Sequence, residues 1–244
     1  MCQVNKICCS CSQDVLYRDI QCGTSISKSK CIYRTLAQSA RLARKVRSFS
    51  SLSEGSDMAM ALRNMTSLRI LELSSALDMD ILDGCTFKLY SFGCTYVYNH
   101  REYFPNFLSS QSSLKYVALP VYFGSEVSSS MEATCLPNLT RISATLFWLR
   151  DLIPGRPLNE VITTGYTLIG HSIDLSFFAL STTPIQKLTI DYSYLYPTPG
   201  YLLASFLPSL THFTLKIWKY YTFFKYEEVC ELAYINNWIL NNMA

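Results

Sequence analysis

Charge is scarce in this chain: Asp, Glu, Lys and Arg make up 16% of its 244 residues, against about 25% in ordinary globular domains. The cation surplus is small as well, 21 Lys and Arg against 18 Asp and Glu, so a nucleic-acid partner is not expected. Histidine is rarer still. His100, His171 and His212 are far apart, and none stands beside a Cys or carboxylate in a catalytic spelling. A phosphate loop is missing too, since Gly23 to Ser29 lacks a second glycine and a preceding strand. Glu227 and Glu228, adjacent on an expected helix, point in different directions and do not suit shared acid–base work. The longest stretch free of formal charge, Tyr192 to Leu215, is interrupted by Pro197, Pro199, Gly200 and Pro208, so no transmembrane helix is expected. Met1 to Asp14 lacks the basic start and apolar stretch of a secretory signal. Together these absences predict no catalytic residue, no cofactor, no membrane partner and an intracellular chain, in cytoplasm or nucleus.

What is present is apolar. Residues of this kind make up 49% of the chain, enough to bury a core and to exclude disorder along its length. Of ten cysteines, Cys2, Cys8, Cys9, Cys11, Cys22 and Cys31 crowd the first 31 residues. A zinc site would need Cys8 and Cys11 joined by Cys22 and Cys31, but the second pair is too widely spaced for a metal knuckle. Reduced thiols, packed as small apolar side chains on a helix, are expected instead.

One short pattern recurs: an aliphatic residue, two variable ones, an apolar residue, one variable, then another apolar residue. Clean copies begin at Leu68, Leu114, Ile185 and Leu210, and looser ones at Val46, Phe87, Leu139 and Leu158. The mean spacing of about 23 residues falls inside the period of leucine-rich repeats, each of which supplies one short parallel strand and a return. Met65-Thr66-Ser67, Gln111-Ser112-Ser113, Leu136-Pro137-Asn138 and Leu207-Pro208-Ser209 stand before anchors and would turn the chain into a strand. Apolar stretches at Met58 to Leu62, Tyr103 to Leu108, Ile173 to Leu180 and Tyr201 to Phe206 supply the helical returns.

The expected fold is therefore α/β, a leucine-rich-repeat-like solenoid with a curved parallel sheet and outer helices, preceded by short N-terminal helices. A compact α/β domain is the competing architecture. By strand alternation the anchor, its third and its fifth successor point inward, and intervening residues face out on the concave side. That partner-binding face is expected to carry Glu72, Tyr116, Arg141, Ser143, Thr145, Glu160, Lys187, Thr189, Asp191, His212, Thr214 and Lys216. Between Ile32 and Val46, Ile32, Leu36, Ala37, Ala40, Ala43 and Val46 recur at helical spacing, with Arg34, Arg41, Arg44, Lys45 and Arg47 largely elsewhere. An amphipathic helix with a solvated basic face is expected there.

Two motifs in this region carry a resemblance. Leu16-Tyr17-Arg18-Asp19-Ile20 and Leu42-Ala43-Arg44-Lys45-Val46-Arg47-Ser48-Phe49 resemble the junction of fungal F-box proteins whose F-box precedes a degenerate leucine-rich repeat domain. The resemblance implies a ubiquitin-ligase substrate receptor: the F-box binds the Skp-type adaptor of a cullin ligase, and the repeats hold the protein to be ubiquitylated. An F-box is longer than the segment before Asp14, and Cys2 to Cys11 matches only its last helix. Residues 1–22 are accordingly expected to be an F-box remnant and residues 31–244 the solenoid, closed by a capping helix near 226–241. Two roles stay open: a receptor coupled to the ligase through the adaptor, and a stand-alone repeat scaffold or gene fragment uncoupled from it.

Overall fold

A computed structural model describes residues 3–23, 25–52, 55–98, 103–119, 132, 134–165, 174–191 and 200–216. The chain divides into two compact units, Met1–Asn138 and Leu139–Ala244. The first contains α1 (Gln3–Leu16), β1 (Asp19–Cys22), α2 (Ile26–Gln38), α3 (Ala40–Ala43), β2 (Ser48–Ser51), α4 (Met58–Asn64), β3 (Ile70–Asp78), β4 (Ser91–Tyr98), α5 (Tyr103–Ser109) and β5 (Tyr116–Ala118). Its five strands pair in chain order, all parallel. The second unit contains β6 (Arg141–Ala144), α6 (Leu146–Leu152), β7 (Glu160–Thr163), β8 (Lys187–Asp191), α7 (Gly200–Phe206) and β9 (His212–Lys216). These four strands are likewise parallel and in chain order. Parallel neighbours need a crossover of about a dozen residues or more, which the spacing between anchors provides.

Most strands start in the same way. The carbonyl just before the strand accepts two amides from the next rung: Arg18 O from Arg47 N and Ser48 N, Arg47 O from Arg69 N and Ile70 N, Arg69 O from Tyr90 N and Ser91 N. Thr140, Asn159 and Gln186 repeat this in the second unit. The residues before the strands form repeated tight turns, with Leu68 N bonded to Met65 O, Leu114 N to Gln111 O and Leu210 N to Leu207 O. Side chains add a second set of rung-to-rung bonds. Arg47 Nη1 donates to Ser67 O at 3.1 Å, Arg69 Nη1 to Lys88 O at 3.2 Å and Lys88 Nζ to Ser110 O at 2.8 Å. Asn64, within an Asn-Met-Thr sequon, spends its amide on the Leu36 and Ala37 carbonyls that end α2.

Registration stacks the core in rows. Ile20, Phe49, Leu71, Phe92 and Val117 lie side by side, each buried. In the second unit Ile142, Val161 and Leu188 do the same. Tyr33 of α2 meets Phe49 edge-on at 6.2 Å, and Phe107 of α5 meets Phe92 at 5.4 Å, so the returns cover this side of the first sheet. On the opposite side Asp19, Gln21, Ile70 and Glu72 are exposed.

Several expectations shift. The third rung is anchored on Leu89 rather than Phe87, because Phe92 pairs with Leu71 and the buried Gln111 Oε1 takes the Leu89 amide at 3.0 Å. Phe87 is still buried but packs on Phe107, while Tyr90, expected inward, is 50% exposed. A rung precedes the first anchor: Asp19–Cys22 pairs with β2, so parallel pairing begins before residue 31. The expected helix at 32–46 starts earlier, at Ile26, and breaks at Ser39, whose φ of −126° and ψ of 86° are not helical. Among the described residues of the stretch from Ile173, Ser176–Leu180 is helical, as a 3-10 turn. The cap near 226–241, His100 and His171 lie outside the described residues.

Candidate functional site

The open face of each sheet consists of the residues between the inward ones. In the second unit the register sets Arg141, Glu160, Lys187 and His212 in one row across four strands. Neighbours in such a row are about 4.8 Å apart along the sheet, within reach of long side chains. Arg141 Nε sits 3.1 Å from Glu160 Oε1. Exposed pairs of this kind contribute well under about 1 kcal/mol, so the bridge fixes side-chain direction more than it stabilises the fold. Lys187 and His212 are exposed, and Thr211 Oγ1 lies 2.9 Å from His212 Nδ1. A second row consists of Ser143, Ile162, Thr189 and Thr214. It is hydroxyl-rich, with one apolar member.

In the first unit the two corresponding rows are Asp19, Ser48, Ile70, Ser91 and Tyr116, then Gln21, Ser50, Glu72, Gly93 and Ala118. Small side chains dominate, and Glu72 stands beside Gly93, where an added Cβ would meet Glu72 Cγ at an ordinary 3.6 Å. The expected site residues thus divide between units: Glu72 and Tyr116 in the first, on different rows, and the other ten in the second.

Most of those ten do reach solvent. Arg141, Lys187, His212, Thr214 and Lys216 are exposed, and Thr145, Glu160 and Thr189 half-buried. Two do not match the expected face. Asp191 is 1% exposed, its amide donating to Thr163 Oγ1 at 2.9 Å, so the end of β8 is closed off. Ser143 is 9% exposed, near the end of β6, which passes through Thr145 into α6. Alternation gives a direction but not solvent access, and at a strand end the two separate. Ile70 and Ile162 also belong to this face, outside the expected set, which holds only polar positions. Their signal was present in the spacing, two and four residues after their anchors.

A further row went unread. The residues just before the strands of the first unit, Arg18, Arg47, Arg69, Tyr90 and Lys115, are all exposed along the leading edge of the sheet. Lys115 Nζ lies 5.5 Å over the Tyr90 ring, a cation–π contact. The cysteines also differ from expectation: Cys8, Cys9, Cys11 and Cys31 are exposed, and only Cys22 of the N-terminal group seen here is buried. Among the described residues no three His, Cys, Asp or Glu side chains converge as metal ligands. No helix among them is long and apolar enough to cross a membrane.

In the segment between α6 and β7, Arg156 is fully buried after Gly155, which has a φ of 76°. Its Nη1 donates to Asp151 O at 3.2 Å and Pro154 O at 3.0 Å. Burial pushes the Asp151 carboxyl up, against the pull of Arg150 and Arg156. This group braces a turn, since Ser181 Oγ bonds both Arg156 O and Leu158 O. No protein-family model and no curated protein matches the chain.

Proposed function

We propose that the protein is a non-enzymatic protein-binding module, a leucine-rich-repeat-like solenoid serving as the substrate-recognition part of an F-box type ubiquitin-ligase receptor. The supporting observation is the registered row Arg141–Glu160–Lys187–His212, in which a carboxylate stands between two cations and a histidine follows, on a parallel sheet. A rigid row of long polar side chains, with hydroxyls behind it, suits an extended protein surface rather than a small molecule. Such a module acts by proximity: holding the target raises its effective concentration near the ubiquitin-charged enzyme, with no chemistry on the sheet. Arg141 is of a residue type enriched at interface hot spots.

A stand-alone scaffold is the second role, favoured by β1. Asp19–Cys22 belongs to the sheet, so part of the motif that resembles the F-box junction is a rung of the repeat array. Co-purification of the full chain with a fungal Skp-type adaptor separates the two. Capture of the adaptor is expected for a coupled receptor, and a folded chain that leaves it behind is the scaffold. For the binding face itself, Lys187→Glu with His212→Glu should lower target affinity about 10-fold or more with unchanged melting; unchanged affinity would remove this row from the interface.

A further inference from the structure

Helix α1 presents an unusual surface among its described residues. Cys8, Cys11 and Val15 recur at three and four residues and so share one side, and Cys9 and Leu16, seven apart, share the neighbouring one. All five are exposed, Val15 at 77% and Leu16 at 71%. A helix with uncovered thiols and aliphatic side chains exposes what a folded chain normally hides. The surroundings are basic. Residues 1–47 hold nine Lys and Arg and two Asp and Glu, against 21 and 18 in the whole chain, so this segment carries +7 and the remainder −4. Asp14 of α1 is ion-paired with Lys45, which precedes the leading edge and so ties the helix to the row Arg18, Arg47, Arg69, Tyr90 and Lys115. Arg41, Arg44, Lys28 and Lys30 are exposed as well.

We propose that Cys8, Cys9 and Cys11 are S-acylation sites that hold α1 on an anionic lipid surface, with the basic leading edge facing the headgroups. In the modifying step a cysteine sulfur attacks the carbonyl carbon of a long-chain acyl-coenzyme A thioester. The new S–C bond forms as the old one breaks, and coenzyme A leaves as its thiol with the cysteine's proton; nothing is oxidised or reduced. One acyl chain gives marginal binding, and a polybasic patch supplies the second signal that stable anchoring needs. Nucleic acid is the other polyanion the charge would attract, but it has no place for Val15, Leu16 and three thiols. The expectation of no membrane partner rested on the lack of a spanning segment and does not reach a helix that lies on a surface.

The test starts with the full chain expressed in yeast. Thiol blocking, hydroxylamine cleavage and mass tagging should show label on wild type, none on Cys8→Ser/Cys9→Ser/Cys11→Ser, and wild-type levels on Cys31→Ser. A wild-type chain without hydroxylamine-dependent label, or label that survives the triple substitution, overturns the proposal. In the second arm, purified protein acylated with palmitoyl-coenzyme A is floated with vesicles. Vesicles of seven parts phosphatidylcholine to three of phosphatidylserine should hold at least about 10-fold more than phosphatidylcholine alone, and Arg41→Glu/Arg44→Glu should lose about that factor. Equal flotation on both vesicles, or tighter binding to a 25-base-pair duplex than to the acidic vesicles, overturns it. Circular dichroism keeps an unfolded variant from counting.

Discussion

Thiols in this protein differ by position more than by number. Burial pushes the Cys85 thiol up to about 12 and raises that of Cys22, while Cys8, Cys9, Cys11 and Cys31 lie open to solvent. Since the thiolate is the reacting species, iodoacetamide at pH 8 should label those four at least about 10-fold faster than Cys85 and Cys22. Peptide mass spectrometry over a time course reads this directly, and equal rates would mean the native packing around Cys85 is absent. Asp151 gives a pH prediction. Its carboxyl is raised above the ordinary 3.8, so its contribution is favourable below that pH and lost as pH rises; at neutral pH its charge is a cost. Asp151→Asn should therefore melt slightly above wild type at pH 7 and coincide with it near pH 3. Asp174 has the opposite sign: a bond from the Ser176 amide lowers its carboxyl, so its small favourable effect fades as pH falls below the ordinary carboxylate range.

At the scale of the element, the turn before a strand carries its own hydrogen bonds to the neighbouring rung. Gln111 lies buried between two rungs, accepting from Leu89 N and donating to Ser110 Oγ. Gln111→Ala leaves a buried amide unsatisfied and should cost about 1–3 kcal/mol in urea unfolding. The sequence made these elements legible where the apolar spacing was unambiguous: strands stand after Leu68, Leu114, Leu139, Leu158, Ile185 and Leu210, and the apolar stretch at Met58 became α4. It failed where two registers fit. Phe87 and Leu89 are both apolar, as are Tyr90 and Phe92, so periodicity alone could not choose between them; the Gln111 amide chose. The rung at Ile20 and Cys22 went unread because cysteine served there as the second inward residue. Of the leading-edge arginines, Arg47 falls on the expected solvated helix face, and its alignment with Arg18 and Arg69 arises only when rungs stack.

Across each unit, stacked rows make neighbouring rungs depend on one another, and a position's cost follows how many rungs flank it. Phe49, fully buried among rungs on both sides, should lose about 3–5 kcal/mol on truncation to Ala, while half-buried Phe213 should lose distinctly less. Denaturant titration of the two variants compares them, and equal losses would contradict nearest-neighbour stacking. The polar row of the second unit was partly legible for the same reason, since spacing predicts which residues share a row but not which strand ends are closed, as Asp191 shows.

The bonds from Arg47, Arg69 and Lys88 each cross one boundary and end on the next turn's carbonyl. Under tension applied at the N-terminus those links are loaded one after another, like teeth of a zip, rather than together. An optical trap pulling on the first unit should then record a series of small lengthening steps in place of one large rip. Between the Leu68 and Leu89 rungs each step would release about 70 Å of chain, at roughly 3.4 Å per residue.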